Sequence, residues 1–362
     1  MPVYLAGRDE DIKNIENLFD GLMLNIPTQS VIFSGLRGVG KTVLINRLQT
    51  IAEEKGIFCR HIEVEERNDF ISQIASCSQA FLRKISTVEK FKHLIQKPLD
   101  AIKALVVSFA PGENTFSLSV QERELYTTIN LTQSLTDVFC TIGEAVGKAE
   151  TPICFFIDEI QYMKSNELGA LIAALHRAYQ LGYPERLFVY KEIGSLEETQ
   201  AREAIEKPAE KMHVRYTDDA VTKIIRLTKG YPFFIQQLCQ IVYQNTSTDV
   251  IDGKCVEKNV EEFLKTLDNG FFKVRYERCS EADKKFIFAM TACGELPCTI
   301  SSVAKIMNKT VNSISTSRAQ LISKGIIYSV RYKELDFTVP EFDAYVRRLE
   351  EYREWKKENK IR

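Results

Sequence analysis

Long apolar runs are missing from this 362-residue chain. No segment approaches the roughly 18 uninterrupted apolar residues of a membrane helix, so no membrane partner is expected. Charge of one sign is also missing: 48 Lys and Arg stand against 49 Asp and Glu, a net charge of −1. That balance excludes a global pull toward nucleic acid or lipid and leaves only local basic surface. The nine cysteines occur singly, with no C-x-x-C pair, and Cys293 and Cys298 are the nearest neighbours. The four histidines (His61, His93, His176 and His213) are equally dispersed. A zinc site has no support, and scattered thiols in odd number suit a reduced, cytoplasmic compartment. Met1-Pro2-Val3-Tyr4 lacks the basic-then-apolar start of a secretory signal. Repeats and low-complexity segments are absent too. The length and the 44% hydrophobic content lead us to expect two or three domains with sizeable cores.

The most informative segment is Gly35-Leu36-Arg37-Gly38-Val39-Gly40-Lys41-Thr42. It follows the apolar run Val31-Ile32-Phe33 and opens a helical pattern from Val43 over residues 43–52. G-x-x-x-x-G-K-[ST] between strand and helix is a phosphate-binding P-loop. Its glycines let consecutive N–H groups converge on one phosphate, and the dipole of the following helix favours the same charge. Lys41 is expected at the β- and γ-phosphates of ATP, and the Thr42 hydroxyl on Mg²⁺.

Around this loop, residues 1–194 read as an α/β unit with strands near 31–34, 58–64 and 153–157. Residues 81–109 read as a mostly helical insert of mixed charge, expected as a solvated amphipathic helix rather than a partner-binding surface. Pro111-Gly112-Glu113-Asn114 reads as a turn, and residues 130–148 as a helix leading into the third strand. Residues 195–269 read as wholly helical, a lid following a P-loop core. A winged helix-turn-helix is expected over 270–345 and a charged helix over 346–362.

Phosphate binding alone does not give hydrolysis. Ile153-Cys154-Phe155-Phe156-Ile157-Asp158-Glu159 supplies the second set of groups: an apolar run suited to a parallel strand buried on both faces, ending in two acids. Asp158 would hold Mg²⁺ through water beside Thr42, and Glu159 would polarise the attacking water.

Gly7-Arg8-Asp9-Glu10, the P-loop, Phe155–Gln161 (FFIDEIQ) and Gly230–Leu238 (GYPFFIQQL) occur in this order. Together they resemble the AAA+ ATPases of the origin-recognition clade and the related STAND NTPases. The resemblance implies a parallel-sheet P-loop core, a helical lid and a C-terminal winged helix-turn-helix. It implies that Gly7 and Arg8 line the adenine side of the pocket, and that Gly230-Tyr231-Pro232 sets the lid against the nucleotide, with Pro232 in the G-x-P position of STAND proteins. It makes Arg186 a candidate arginine finger, which a plain surface arginine would equally explain. Two departures stand out. No sensor arginine lies near Gly230-Tyr231-Pro232, which points to the STAND pattern of slow hydrolysis and switching. The strand expected after the acid-pair helix is missing as well: His176–Tyr183 and Pro184 run directly into Glu185-Arg186-Leu187-Phe188. The resemblance therefore implies an interruption between Pro184 and Glu185 of about twenty residues, by analogy a strand and a loop.

In the last third, Ser280-Glu281-Ala282-Asp283 reads as an N-cap with acids in the first turn. That helix would bury Phe286, Ile287, Phe288 and Met290. Helices over 299–308 and 310–324 and a hairpin around Arg331-Tyr332-Lys333-Glu334 would follow. This order puts the 310–324 helix in the recognition position. Ile314 and Leu321 would face inward, while Asn312, Ser313, Thr316, Ser317 and Gln320 would face duplex DNA, with Arg331 and Lys333 at the wing tip. From Ser280 onward, 15 basic residues face 11 acidic ones, a net of +4 and a mild excess. The expected function is an ATPase, probing DNA through a nucleotide-positioned winged helix. The alternative is a STAND-like ATP/ADP switch whose winged helix contacts a protein effector or a second copy of the chain.

Overall fold

The computed structural model describes residues 4–24, 26, 28–65, 69–110, 130–180 and 188–359. Two compact units emerge: one holds the chain up to Ser34 with Lys41–Glu192, the other Gly35–Gly40 with the chain from Ile193 onward.

The first unit is α/β. Its elements are α1 (Asp9–Met23), β1 (Ser30–Ser34), α2 (Lys41–Glu54), β2 (Phe58–Glu63), α3 (Phe70–Ser86), α4 (Gln96–Phe109), α5 (Leu131–Lys148), β3 (Ile153–Asp158), α6 (Ser165–Gln180) and β4 (Phe188–Glu192). All three expected strands form. β1 runs parallel to β4, with Ile32 opposite Tyr190, and β2 runs parallel to β3, with Ile62 opposite Ile157. Parallel neighbours require crossovers, and the intervening helices supply them. Among the described residues β1 and β3 do not pair, and each has a single neighbour. The Pro184–Glu185 junction and Arg186 lie outside the described residues, as does the 111–114 turn.

Stretch 81–109 is not one solvated helix. It spans the end of α3, a 3₁₀ segment Glu89–Leu94 and α4. Phe70, Ile71, Ile74, Leu82 and Ile85 on α3 are buried with Ile102, Leu105 and Val106 on α4 and with Leu135, Val138 and Ile142 on α5, while buried Phe81 packs on Phe58 and Phe155. Apolar residues three and four apart form one stripe on each helix, and the charged residues between them hid that core role in the sequence. Asp69 starts α3 by accepting a hydrogen bond from the Ile71 N–H at 3.2 Å.

The second unit continues with α7 (Glu198–Lys211), α8 (Asp218–Thr228), α9 (Pro232–Gln244) and α10 (Gly253–Thr266). The expected all-helical region also contains a small parallel bridge of β5 (Arg215–Tyr216) with β6 (Val250–Ile251). Thr217 and Asp252 cap α8 and α10, and Pro232 occupies the first turn of α9, where its missing N–H is harmless. A π-helical turn, Leu267–Phe272, leads into α11 (Lys273–Tyr276).

Beyond it lie α12 (Glu281–Ala292), β7 (Cys298–Thr299), α13 (Ile300–Ile306), α14 (Ser315–Ser323), β8 (Ile327–Arg331) and β9 (Glu334–Phe337). The strands form an antiparallel sheet of order β7-β9-β8. The 310–324 helix begins later than expected, as a 3₁₀ turn at Asn312–Ile314 precedes α14. The charged C-terminal helix is two helices, α15 (Phe342–Arg348) and α16 (Glu350–Glu358), because Leu349 between them is extended. α16 is anchored by buried Tyr352 and by Trp355, whose rings both lie 5.6 Å from Phe288. Phe272 meets Phe234 at 6.1 Å and Tyr345 at 5.3 Å, so the helical region and the C-terminal region share one aromatic core.

Candidate functional site

β1 ends at Ser34 and α2 begins at Lys41, leaving Gly35–Gly40 as the turn between strand and helix. That is the context the P-loop motif needs. Gly35, Gly38 and Gly40 have φ of +152°, +83° and +97°, which only glycine adopts without strain. Space is as demanding as angle: a Cβ on Gly35 would lie 2.1 Å from the Ile193 carbonyl oxygen. Lys41, Thr42 and Val43 form the first turn of α2, which carries no acidic residue to compete with a bound anion. Val39 is buried and holds the loop. Leu36 is half-buried. Arg37 turns toward the C-terminal region, its guanidinium 3.4–3.7 Å from the position a Cβ would take on Gly325.

Within the first unit, α2 packs against both β2 and β3. α2 ends at Glu54 and β2, parallel to β3, begins at Phe58, so α2 starts toward the carboxyl ends of both strands. Asp158 is buried there, and its Oδ1 accepts a hydrogen bond from the Glu159 N–H at 2.8 Å. Glu159 sits in the left-handed region, with φ 56° and ψ 33°. For a non-glycine residue this costs about 1–3 kcal/mol and persists where the surrounding structure fixes the backbone, as at six other non-glycine positions among the described residues. The Gln161 side-chain amide donates to the Glu159 carboxylate. Among the described residues no three His, Cys, Asp or Glu cluster as a metal cage. Thr42 and Asp158 remain the expected Mg²⁺ donors, of the kind an ion needs that takes one or two protein oxygens and completes its shell with phosphate and water.

Gly7, with φ +66°, and Arg8 precede α1. Arg8 is buried and donates to the Gly7 carbonyl at 3.4 Å. Burial lowers the pKa of its guanidinium, and Asp11 opposes that shift. In the second unit, Gly230 has φ +69° and a Cβ there would sit 2.3 Å from the Leu196 carbonyl oxygen. The Leu196 N–H donates to the Gly230 carbonyl at 2.9 Å, so Pro232 enters α9 from a fixed point. Asn312, Ser313, Thr316 and Gln320 are exposed and Ser317 is half-buried, while Ile314 and Leu321 point into the core. Arg331 and Lys333 are exposed at the β8–β9 turn, Lys333 with φ +66°.

Three features escaped the sequence reading. Tyr231 packs against Gly38, its Cε1 only 3.1 Å from the position a Cβ would take there. Arg275 lies just past the helical region, stacked 4.0 Å over the Phe271 ring, with its charge close enough to act on Tyr231. Arg318 donates to the Ser329 hydroxyl at 3.0 Å on the candidate DNA face. Only Tyr231 had a local signal, its place between a glycine and a proline.

Comparison with known proteins bears on these parts separately. The model of the AAA ATPase domain matches residues 4–190, and that of a domain of unknown function matches residues 269–346. No curated protein sequence matches the chain. Among solved structures, a Walker-type ATPase of Pyrococcus abyssi is similar at 14% identity and TM-score 0.50, covering 95% of this chain and 96% of that one. The RuvB Holliday junction branch migration motor of Thermotoga maritima is similar at 13% identity and TM-score 0.41, covering 94% and 95%. The Aeropyrum pernix ORC1 protein, solved in complex with DNA, gives 13% identity and TM-score 0.38, covering 95% and 93%. At such identity the Pyrococcus likeness concerns the fold alone. No helix among the described residues is long and apolar enough to cross a membrane. With its P-loop turn in place and a matching domain model over more than half its length, this chain belongs to the AAA ATPase domain family.

Proposed function

We propose that this chain is an ATP-binding, slowly hydrolysing AAA+ protein whose nucleotide state positions a DNA-binding winged helix. One observation carries the DNA half of that reading. α12, α13 and α14 are followed by a hairpin with exposed Arg331 and Lys333 at its tip, and the outer side of the α14 region bears small polar groups. Such a surface suits phosphate and base-edge contacts.

The chemistry assigned to each residue follows from its type and place. Lys41 neutralises the β- and γ-phosphates, and backbone N–H groups of Gly35–Thr42 cradle them. Thr42 and Asp158 would hold Mg²⁺, which when bound neutralises charge on the phosphate oxygens. Glu159 accepts a proton from the attacking water and orients it. Arg186 remains the candidate arginine finger, and Gly7, Arg8 and Pro232 the candidates for adenine and lid contacts.

A second reading, the STAND-like switch with a protein effector or a second copy as partner, is favoured by the closeness of Arg37 to Gly325. That approach lets the C-terminal region feel the P-loop without any DNA. Titration of labelled duplex DNA with ATP-loaded and ADP-loaded protein at several salt concentrations separates the two. The DNA reading requires a negative log–log salt slope and nucleotide-dependent affinity. Absence of salt-sensitive binding in both states leaves the protein-contact switch.

A further inference from the structure

The Tyr231 hydroxyl is fully buried and, among the described residues, has no hydrogen-bond partner. Unpaired buried hydroxyls are uncommon because each forfeits about 1–3 kcal/mol of hydration. This one is aimed at the P-loop. A Cβ on Gly38 would meet Tyr231 Cε1 at 3.1 Å, Phe233 Cβ at 3.2 Å and Tyr231 Oη at 3.4 Å. The loop can come this close because Gly38 has no side chain. The approach is also held rigidly. The Tyr231 N–H donates to the Thr228 carbonyl at 2.9 Å, and the Tyr231 carbonyl accepts from the Ile235 N–H at 3.0 Å. The ring packs on Phe234 at 4.8 Å. On either side, Gly35 abuts Ile193 and Gly230 abuts Leu196, so one short segment fixes both the loop and the start of α9.

We propose that Tyr231 is a nucleotide-contacting residue, its hydroxyl donating a hydrogen bond to the anionic polyphosphate seated in the P-loop. The inference rests on the ATP-binding reading above and adds the coupling device: occupancy of the loop gives α9 a direct polar bond. Burial raises the phenol pKa well above its ordinary value, more than the Arg275 charge lowers it, so the group remains a neutral donor at physiological pH. The aromatic body stays in the apolar core while the hydroxyl tip meets the ligand, a division of labour for which tyrosine is suited.

Tyr231→Phe removes only the oxygen, and two readouts should move in opposite directions. Without ligand, the variant should melt at the parent temperature or higher, since a buried unpaired hydroxyl is lost. Affinity for ATP, by isothermal titration calorimetry with Mg²⁺, should fall about tenfold, as expected for a hydrogen bond to a charged acceptor. A merely structural tyrosine would leave affinity unchanged, and an affinity within twofold of the parent overturns the proposal. Lys41→Ala is the control for the underlying reading. Parent and Lys41→Ala binding ATP alike removes the P-loop assignment itself, whereas loss in Lys41→Ala with retention in Tyr231→Phe defeats only the tyrosine.

Discussion

Lys324 Nζ donates to Asp283 Oδ2 at 2.6 Å, and Asp283 is the fully buried acid of the capping box that begins α12. The same carboxylate accepts from the Ser280 N–H at 3.0 Å, so one side chain ties the start of α12 to the end of α14. Burial alone would raise the Asp283 pKa. The hydrogen bonds from Lys324 and Ser280 outweigh it and hold the carboxyl below its usual value. A depressed carboxylate stabilises the fold above its unfolded pKa of about 3.9 and loses that contribution as pH falls through the folded value. Lys324→Met should cost about 2 kcal/mol at neutral pH. That is less than a fully buried pair would lose, because Lys324 is partly exposed. Chemical denaturation at neutral pH and below about pH 4 checks both parts: the parent should lose stability more steeply in acid than the variant. Equal acid dependence would remove the pair as the cause.

Gly230 faces two independent demands, its positive φ and the nearby Leu196 carbonyl. Gly230→Ala should therefore destabilise by about 3 kcal/mol, combining strain at an incompatible angle with overpacking. A denaturation midpoint equal to the parent's would show that the Leu196 segment yields easily and does not fix α9.

Lys41→Ala should abolish ATP binding, because the loop amides alone do not balance the polyphosphate charge. Glu159→Gln should keep ATP bound and reduce turnover at least a hundredfold, on the order of what a general base supplies. The two variants separate holding from cutting. Parent-rate hydrolysis by Glu159→Gln, measured as phosphate release, would remove Glu159 from the mechanism.

Arg331→Glu with Lys333→Glu should weaken duplex DNA binding and lower the magnitude of its log–log salt slope by about two, one for each phosphate no longer neutralised. ATP affinity should not change. A constant slope would move the function to the protein-contact switch.

Much of this architecture was legible because it depends on local rules. The P-loop glycines, the Ser280 cap and the outward-facing side of the α14 region each follow from residues close in sequence. The role of the 81–109 stretch was less visible, since Leu82 and Leu105 join one core only after the chain folds back. The split at Leu349 was hidden for another reason: the sequence from Tyr345 to Lys357 has good helix formers throughout, and Tyr352 and Trp355 packing on Phe288 overrides them. The Tyr231–Gly38 approach joins residues far apart in the chain, which no periodicity reveals.

The strand pattern bears most directly on Pro184–Glu185. β1 pairs only with β4 and β3 only with β2 among the described residues, so each acid- or phosphate-bearing strand keeps one open edge. No residue of β1 and only Phe156 and Asp158 of β3 are buried, whereas a parallel strand inside an α/β sheet is ordinarily buried on both faces. A strand between β1 and β3 would cover those edges, and the segment from α6 to β4 is where the resemblance places one. The natural polypeptide is therefore expected to continue through about twenty further residues between Pro184 and Glu185, by resemblance a strand and a loop. Trypsin tests this directly. A direct junction yields the peptide Ala178-Tyr179-Gln180-Leu181-Gly182-Tyr183-Pro184-Glu185-Arg186, bounded by Arg177 and Arg186. Mass spectrometry of the protein isolated from its source should lack that peptide and show Ala178–Pro184 extended by other residues. Finding the nine-residue peptide at full abundance would show that the two paired sheets stand without a central strand.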